Sequence, residues 1–214
     1  MKPTCESFAQ IVRDLAILRS SVSTAFGSDT HEFQCSPVMS EAEVLDFEKS
    51  HDVRLPEEYR VFLMTVGRGG AGPAYGLFDL GETDENFGFR SWKEKDGFVG
   101  TLKTPFPYSE AWNDLAGEPD GTLADTDEDE YERQMTLFEE RYYAQLDGAI
   151  PICHLGCALR QWLIVSGPEA GNVWDDNRAD NGGLAPLKTP SSDRVTFFHW
   201  YRNWLDDALA QLPK

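Results

Sequence analysis

Apolar residues recur at helical spacing in several separate stretches of the chain. Phe8, Ile11, Val12, Leu15 and Leu18 share one face of the segment from Phe8 to Leu18. Ser40 and Glu43 then form a capping box, with Met39 and Val44 placed as a hydrophobic staple, which predicts a helix running to about Ser50. Pro56 suits the first turn of another helix, because its missing N–H is not needed there. Tyr59, Phe62, Leu63 and Val66 follow at i, i+3, i+4 and i+7, and glycines from Gly67 to Gly72 end the pattern. A closing helix from Val195 to Leu212 lines up Phe197, Phe198, Tyr201, Trp204, Leu205, Ala208 and Leu212.

Between the third and last of these patterns the periodicity changes. Short apolar runs bounded by Gly, Pro and Asp predict strands at Tyr75 to Leu80, Phe98 to Leu102, Ala149 to Leu155, Arg160 to Val165 and Asn172 to Trp174. An insertion, residues 113–147, interrupts them and carries a further amphipathic helix on Tyr131, Met135, Phe138 and Tyr142. The polar, serine-rich stretch from Ser20 to Ser36 reads as a linker. Helices, then strands, then a closing helix argue an α+β fold with a mainly antiparallel sheet. The expected organisation is a helical extension and linker over 1–36 and one main domain over 37–212.

Composition narrows the function. The chain carries 37 acidic and 19 basic residues, a net charge of −18. It presents no overall basic field to phosphates, which argues against nucleic acid as a partner, and anionic membranes would repel it. With 41% hydrophobic and 12% aromatic residues it has enough apolar surface to fold. Arg13 and Asp14 break the first apolar stretch, so no signal-peptide core forms, and no run approaches the ~20 residues of a membrane helix. Cys5, Cys35, Cys153 and Cys157 are expected to be reduced thiols in a cytoplasmic protein.

The motifs that resemble chemistry fail on context. Gly67, Gly69 and Gly72 match G-x-G-x-x-G, but they follow a helix and precede a strand, the reverse of a dinucleotide-binding loop. A helix stop followed by a flexible turn is the expectation. Cys153, His154 and Cys157 carry zinc-ligand chemistry without a second ligand pair near in sequence, so a buried strand cysteine is favoured over a metal site. Asp125, Asp127 and Asp129 begin like an EF-hand loop, yet Glu130 and Thr136 stand where glycine and a bidentate glutamate are required. No local nucleophile motif is present, and no catalytic residue or cofactor is assigned.

Charge placement is more informative. Ten carboxylates and one base, Arg133, fall between Glu118 and Glu140, so half of the net charge sits in about a tenth of the chain. Two readings stay open, a solvated face and a binding surface for a basic partner. On the second reading the contact residues are Asp125, Asp127, Glu128, Asp129, Glu130 and Glu132, with Asp175 and Asp176 as a lesser patch.

Two sequence blocks together resemble the SUKH superfamily, which groups fungal cell-wall-synthesis regulators with bacterial toxin-immunity proteins. The first holds Ser40 to Glu43, Phe47-Glu48, then Leu55-Pro56-Glu57-Glu58-Tyr59 and Phe62-Leu63 before the glycines. The second holds Ile150-Pro151-Ile152, Gly156-Cys157, Trp162 to Val165 and Gly171-Asn172-Val173-Trp174. Ala158 departs from the pattern, standing where a second glycine is common. The insertion and the first 36 residues are additions to it. The resemblance implies a single SUKH-like domain acting by binding, not catalysis. Its bacterial members imply an immunity protein that occludes a cognate toxin, of the nuclease type with a basic cleft. Its fungal members imply the alternative, a regulatory adaptor.

Overall fold

The structure is a computed structural model that describes residues 3–21, 25–82 and 99–213. Thr4 and Ser7 cap the first helix, α1 (Cys5–Arg19), which buries Phe8, Ile11, Leu15 and Leu18. The Ser40–Glu43 capping box forms as expected and starts α3 (Glu41–His51), with Val44 fully buried beneath it. Pro56 is the N-cap of α4 (Glu57–Thr65), one position earlier than a first-turn proline. Its missing N–H still costs no helical bond there. The closing helix α7 (Phe197–Ala210) inserts Phe197 and Tyr201 against Phe62, with ring centroids 5.1 and 4.9 Å apart. α1, α4 and α7 thus form one helical layer.

That layer covers one face of a four-stranded antiparallel sheet, ordered β1-β2-β3-β4, with β1 at Ala149–Gly156, β2 at Leu159–Ile164, β3 at Val173–Asp176 and β4 at Leu184–Pro186. Ile150, Ile152, Leu163 and Val173 point to the helices. The opposite face, bearing Trp162, Ile164 and Trp174, has its own core with Phe106, Leu146 and Leu184. Burial on both faces explains why β1 and β2 read as nearly continuous apolar runs and not as alternation. The α+β class with N-terminal helices, an antiparallel sheet and a C-terminal helix is the observed one.

Several expected elements take a different form. Tyr75 to Leu80 runs beside β1 but is joined to it by a single bridge, Leu77 to Cys153. Pro151 has no N–H to extend a ladder, and β1 is bulged between Pro151 and Cys153 and again after His154. Val99 makes a single bridge to Leu146, whereas Phe98, the start of that expected strand, lies outside the described residues. β4 was not anticipated. It is three residues long, and pairing with β3 creates it (Asp176 opposite Leu184).

The serine-rich stretch is more than a linker, since it holds the short helix α2 (Ser28–His31) and buries Phe33. The glycine run is not a flexible turn either. Gly70, at φ +95°, bridges both Cys35 and Leu77, and a β-carbon there would stand 2.5 Å from the Gln34 carbonyl oxygen. Close backbone crossing, not looseness, requires glycine at this point.

Candidate protein-interaction surface

The acidic insertion folds into α5 (Thr122–Thr126) and α6 (Glu128–Tyr142). Asp127 caps α6, its carboxylate accepting the Glu130 N–H at 3.1 Å. Three acids in the first turn complement the positive end of the helix dipole. One side of α6 carries Phe138 and Tyr142 into the interior, their rings stacked at 5.1 Å, while Tyr131 and Met135 are half-buried. The other side is solvent-facing.

The C-terminal end of α6 is fixed by a buried ion pair. Arg178 meets Asp176 in a two-pronged contact, Nε to Oδ1 at 2.8 Å and Nη2 to Oδ2 at 2.7 Å. Its remaining nitrogen, Nη1, donates to the carbonyls of Tyr142 and Ala144, each at 3.1 Å. Those carbonyls belong to the last residue of α6 and to the second residue beyond it, where helices leave acceptors unsatisfied. The Tyr142 hydroxyl donates to Asn113 Oδ1 at 2.7 Å and accepts the Gly183 N–H at 3.1 Å. Arg141 adds an ion pair to Asp114 at 2.6 Å. The acidic helix is therefore held firmly against the sheet, from which its outer carboxylates project.

The residues expected at an interface separate into three groups. Asp125, Glu128, Asp129 and Glu132 are exposed, and no ion pair holds them among the described residues. Asp127 and Glu130 are used within the helix. Arg133 grips Glu130 at 2.6 Å and Gln134 donates to it at 2.7 Å, which together hold the Glu130 carboxyl down at about 2. Asp175 and Asp176 do not form a surface patch, because adjacent strand residues point to opposite faces. Asp175 lies half-buried on the helical side, where Gln161 donates to it at 2.8 Å and burial pushes its carboxyl up. Asp176 is 3% exposed and also accepts the Trp162 indole N–H at 3.0 Å. It is an anchor, not a contact residue.

Arg178, Asn113 and Tyr142 were missed as anchors. Arg178 stands two residues after Asp176, the sort of local acid–base pair a sequence offers, but nothing in the sequence announces its reach to α6. Cys153 is buried, its thiol donating to the Pro73 carbonyl at 3.1 Å, and burial pushes the thiol well up. Cys157 is exposed in the β1–β2 turn, and all four thiols are free. Among the described residues, no three His, Cys, Asp or Glu side chains gather as metal ligands. Nor is any helix there long and apolar enough to cross a membrane.

A family model described as the SMI1 / KNR4 family (SUKH-1) matches residues 39–193. The match runs from the residue before the α3 cap, through the insertion, to beyond β4. The chain belongs to this family, one of immunity- and regulator-type proteins. The matched span stops short of α7 and leaves out α1, although both helices complete the core. No curated protein and no solved structure matches the chain.

Proposed function

We propose that the chain is an immunity protein that neutralises a cognate polymorphic toxin by stoichiometric binding. The toxin is of the nuclease type, carries a basic cleft, and is occluded in the cytoplasm without catalysis. Membership of a protein-binding family supports the general reading. The observation that carries the specific one is α6, whose exposed carboxylates are presented on a helix fixed in place by Arg178. A rigid, like-charged face pays little ordering cost on docking to a basic surface. Complementary charge also lifts association from ~10⁵–10⁶ toward ~10⁸–10⁹ M⁻¹s⁻¹ at low salt.

The test uses the product of the neighbouring gene, if that product is a toxin, and the variant Asp125→Lys, Glu128→Lys, Asp129→Lys, Glu132→Lys. Stopped-flow association should slow at least tenfold at low salt and lose most of its salt dependence, with the circular dichroism spectrum unchanged. Unchanged association would remove α6 as the docking surface. A neighbouring gene that encodes no toxin would favour the regulatory adaptor instead.

A further inference from the structure

Residues 25–36 lie between α1 and α3, ahead of the span matched to the family. They turn sharply after α2, where Glu32 and Phe33 stand in succession at φ +49° and +56°. Left-handed backbone is disfavoured for such residues and persists only where the surroundings enforce it. The enforcing group is His31. Its Nδ1 accepts the Phe33 N–H at 3.0 Å across that turn, and its carbonyl accepts the Gln34 N–H at 2.8 Å. Beyond the turn Phe33 is buried and stacked on Trp204 of α7, and the Cys35 thiol meets the buried Tyr201 hydroxyl at 4.0 Å. Bridges then run in series from Cys35 to Gly70, Leu77 and Cys153. Ser36 donates to the Gly69 carbonyl at 3.0 Å, and Ala71 donates to the Gln34 carbonyl at 2.8 Å. The segment thus covers the edge at Gly69–Ala71, whose backbone groups would otherwise stand open.

The hydrogen bonding fixes the tautomer of the histidine. Nδ1 accepts and so carries no proton, which leaves the proton of the neutral ring on Nε2, shut off from water and directed at the Gly72 carbonyl. A second proton can go only to Nδ1. There it would face a backbone N–H, donor against donor, and the bond that closes the turn would be lost. Burial against Phe33, Trp204 and Gly76 also opposes the cation, whereas the Gly72 carbonyl and Asp29 favour it. The remaining charged groups on the packed elements are engaged elsewhere. Arg19 of α1 donates to the Phe33 carbonyl at 3.1 Å, Glu32 accepts from Gln34 at 3.3 Å, and Arg68 pairs with Asp79 at 3.4 Å. On α7 the uncharged Trp204 ring meets the histidine, Arg202 and Asp206 pair with each other, and Asp207 is exposed.

We infer that residues 25–36 are a proton-released latch. Protonating His31 breaks its bond to the Phe33 N–H, frees the strained turn and lifts residues 33–36 off the Gly69–Ala71 edge, while the sheet and the helical layer stay folded. Acid thus exchanges a covered edge for an open one. The latch depends neither on the acidic helix nor on a toxin. Linkage limits its size. With the ordinary histidine pKa of 6.5 in the open state, one proton favours opening by at most about thirtyfold between pH 7.5 and 5.0.

The test is thiol labelling of the full chain with 4,4′-dithiodipyridine, which reacts in acid as well as at neutral pH, read cysteine by cysteine by peptide mass spectrometry. The rate at exposed Cys5 in the same sample normalises the reagent chemistry, and buried Cys153 reports loss of the whole fold. The relative rate at Cys35 should rise at least fivefold from pH 7.5 to 5.0, within the limit that one proton sets, with Cys153 still protected. His31→Asn should bring that pH ratio close to one, because an asparagine oxygen accepts the N–H two residues on without titrating. His31→Ala, which lacks the acceptor, should label Cys35 at the fast rate at both pH values. An unchanged Cys35 rate in acid, labelling of Cys153 in step with it, or the same pH ratio in His31→Asn would each overturn the proposal. Slow labelling of Cys35 in His31→Ala at both pH values would do so too. If melting curves show that His31→Ala does not fold, the comparison of the parent chain with His31→Asn decides.

Discussion

A buried ion pair and a half-buried histidine show how single residues set the stability of this fold. The Asp176–Arg178 pair is 3% and 2% exposed and satisfied on nearly every polar atom, through Trp162, Tyr142 and Ala144. Removing one partner strands the other as an uncompensated buried charge, which costs roughly 3–5 kcal/mol. Asp176→Ala should lower the free energy of unfolding by about that amount in urea denaturation, and it should release α6 first, read as lost amide protection over Glu128–Tyr142. His31 gives a pH dependence. Its Nδ1 accepts the Phe33 N–H at 3.0 Å, its ring lies edge-on to Phe33 and Trp204, and burial lowers its pKa from the ordinary 6.5. The unfolded chain therefore takes up a proton that the folded chain resists. The contribution is intact above about pH 6.5 and is lost as pH falls below it. Thermal melts between pH 7.5 and 5.5 should show a decline that His31→Gln makes shallower.

At the level of elements, α1 lies outside the family match and α6 within it, and the two are attached differently. α1 buries Phe8, Ile11, Leu15 and Leu18 at 0–4% exposure and pairs Asp14 with Arg202 of α7. At ~1.5–3 kcal/mol for each buried side chain, the helix contributes roughly 6–12 kcal/mol before entropy is subtracted. That is comparable to the ~5–15 kcal/mol stability of a whole domain. Deleting residues 1–36 should therefore leave a chain without a cooperative melting transition, even though the family span is untouched. Leu15→Ala alone should cost about 2–5 kcal/mol in the same assay. α6, by contrast, buries chiefly Phe138 and Tyr142 and is fastened by hydrogen bonds at one end. Its outer face is correspondingly open to charge reversal without loss of fold, which is what makes the association experiment interpretable.

For the whole molecule, a net charge of −18 on 214 residues is a standing self-repulsion, opposed by a core that spans both faces of the sheet. Repulsion among exposed carboxylates is screened over about 10 Å at 0.1 M salt. The melting temperature should therefore rise by a few degrees between 10 and 200 mM NaCl, by ~1 kcal/mol of relieved repulsion in a chain of this size. The charge-reversal variant of α5 and α6, eight units less negative, should show a visibly smaller rise. Equal salt responses in the two proteins would mean that the acidic helix does not dominate the field.

Local periodicity determined the longer helices α1, α3, α4, α6 and α7, the α+β class and three of the four strands, because each depends on residues close together in the chain. Ser40 and Glu43 cap α3 wherever it packs, and Phe62 and Tyr201 fall on buried faces by spacing alone. The acidic segment was equally legible as a concentration of charge. Tertiary contacts decided the rest. β4 exists because β3 lies beside it, Tyr75 to Leu80 falls short of a strand because Pro151 and two bulges interrupt its neighbour, and Gly70 is required by a crossing with residues 34–36. Asp175 and Asp176, adjacent in sequence and alike in charge, were divided between opposite faces of the sheet, one beside Gln161 and the other locked to Arg178. Sequence supplies short-range pattern and charge, whereas burial is a property of what packs on top.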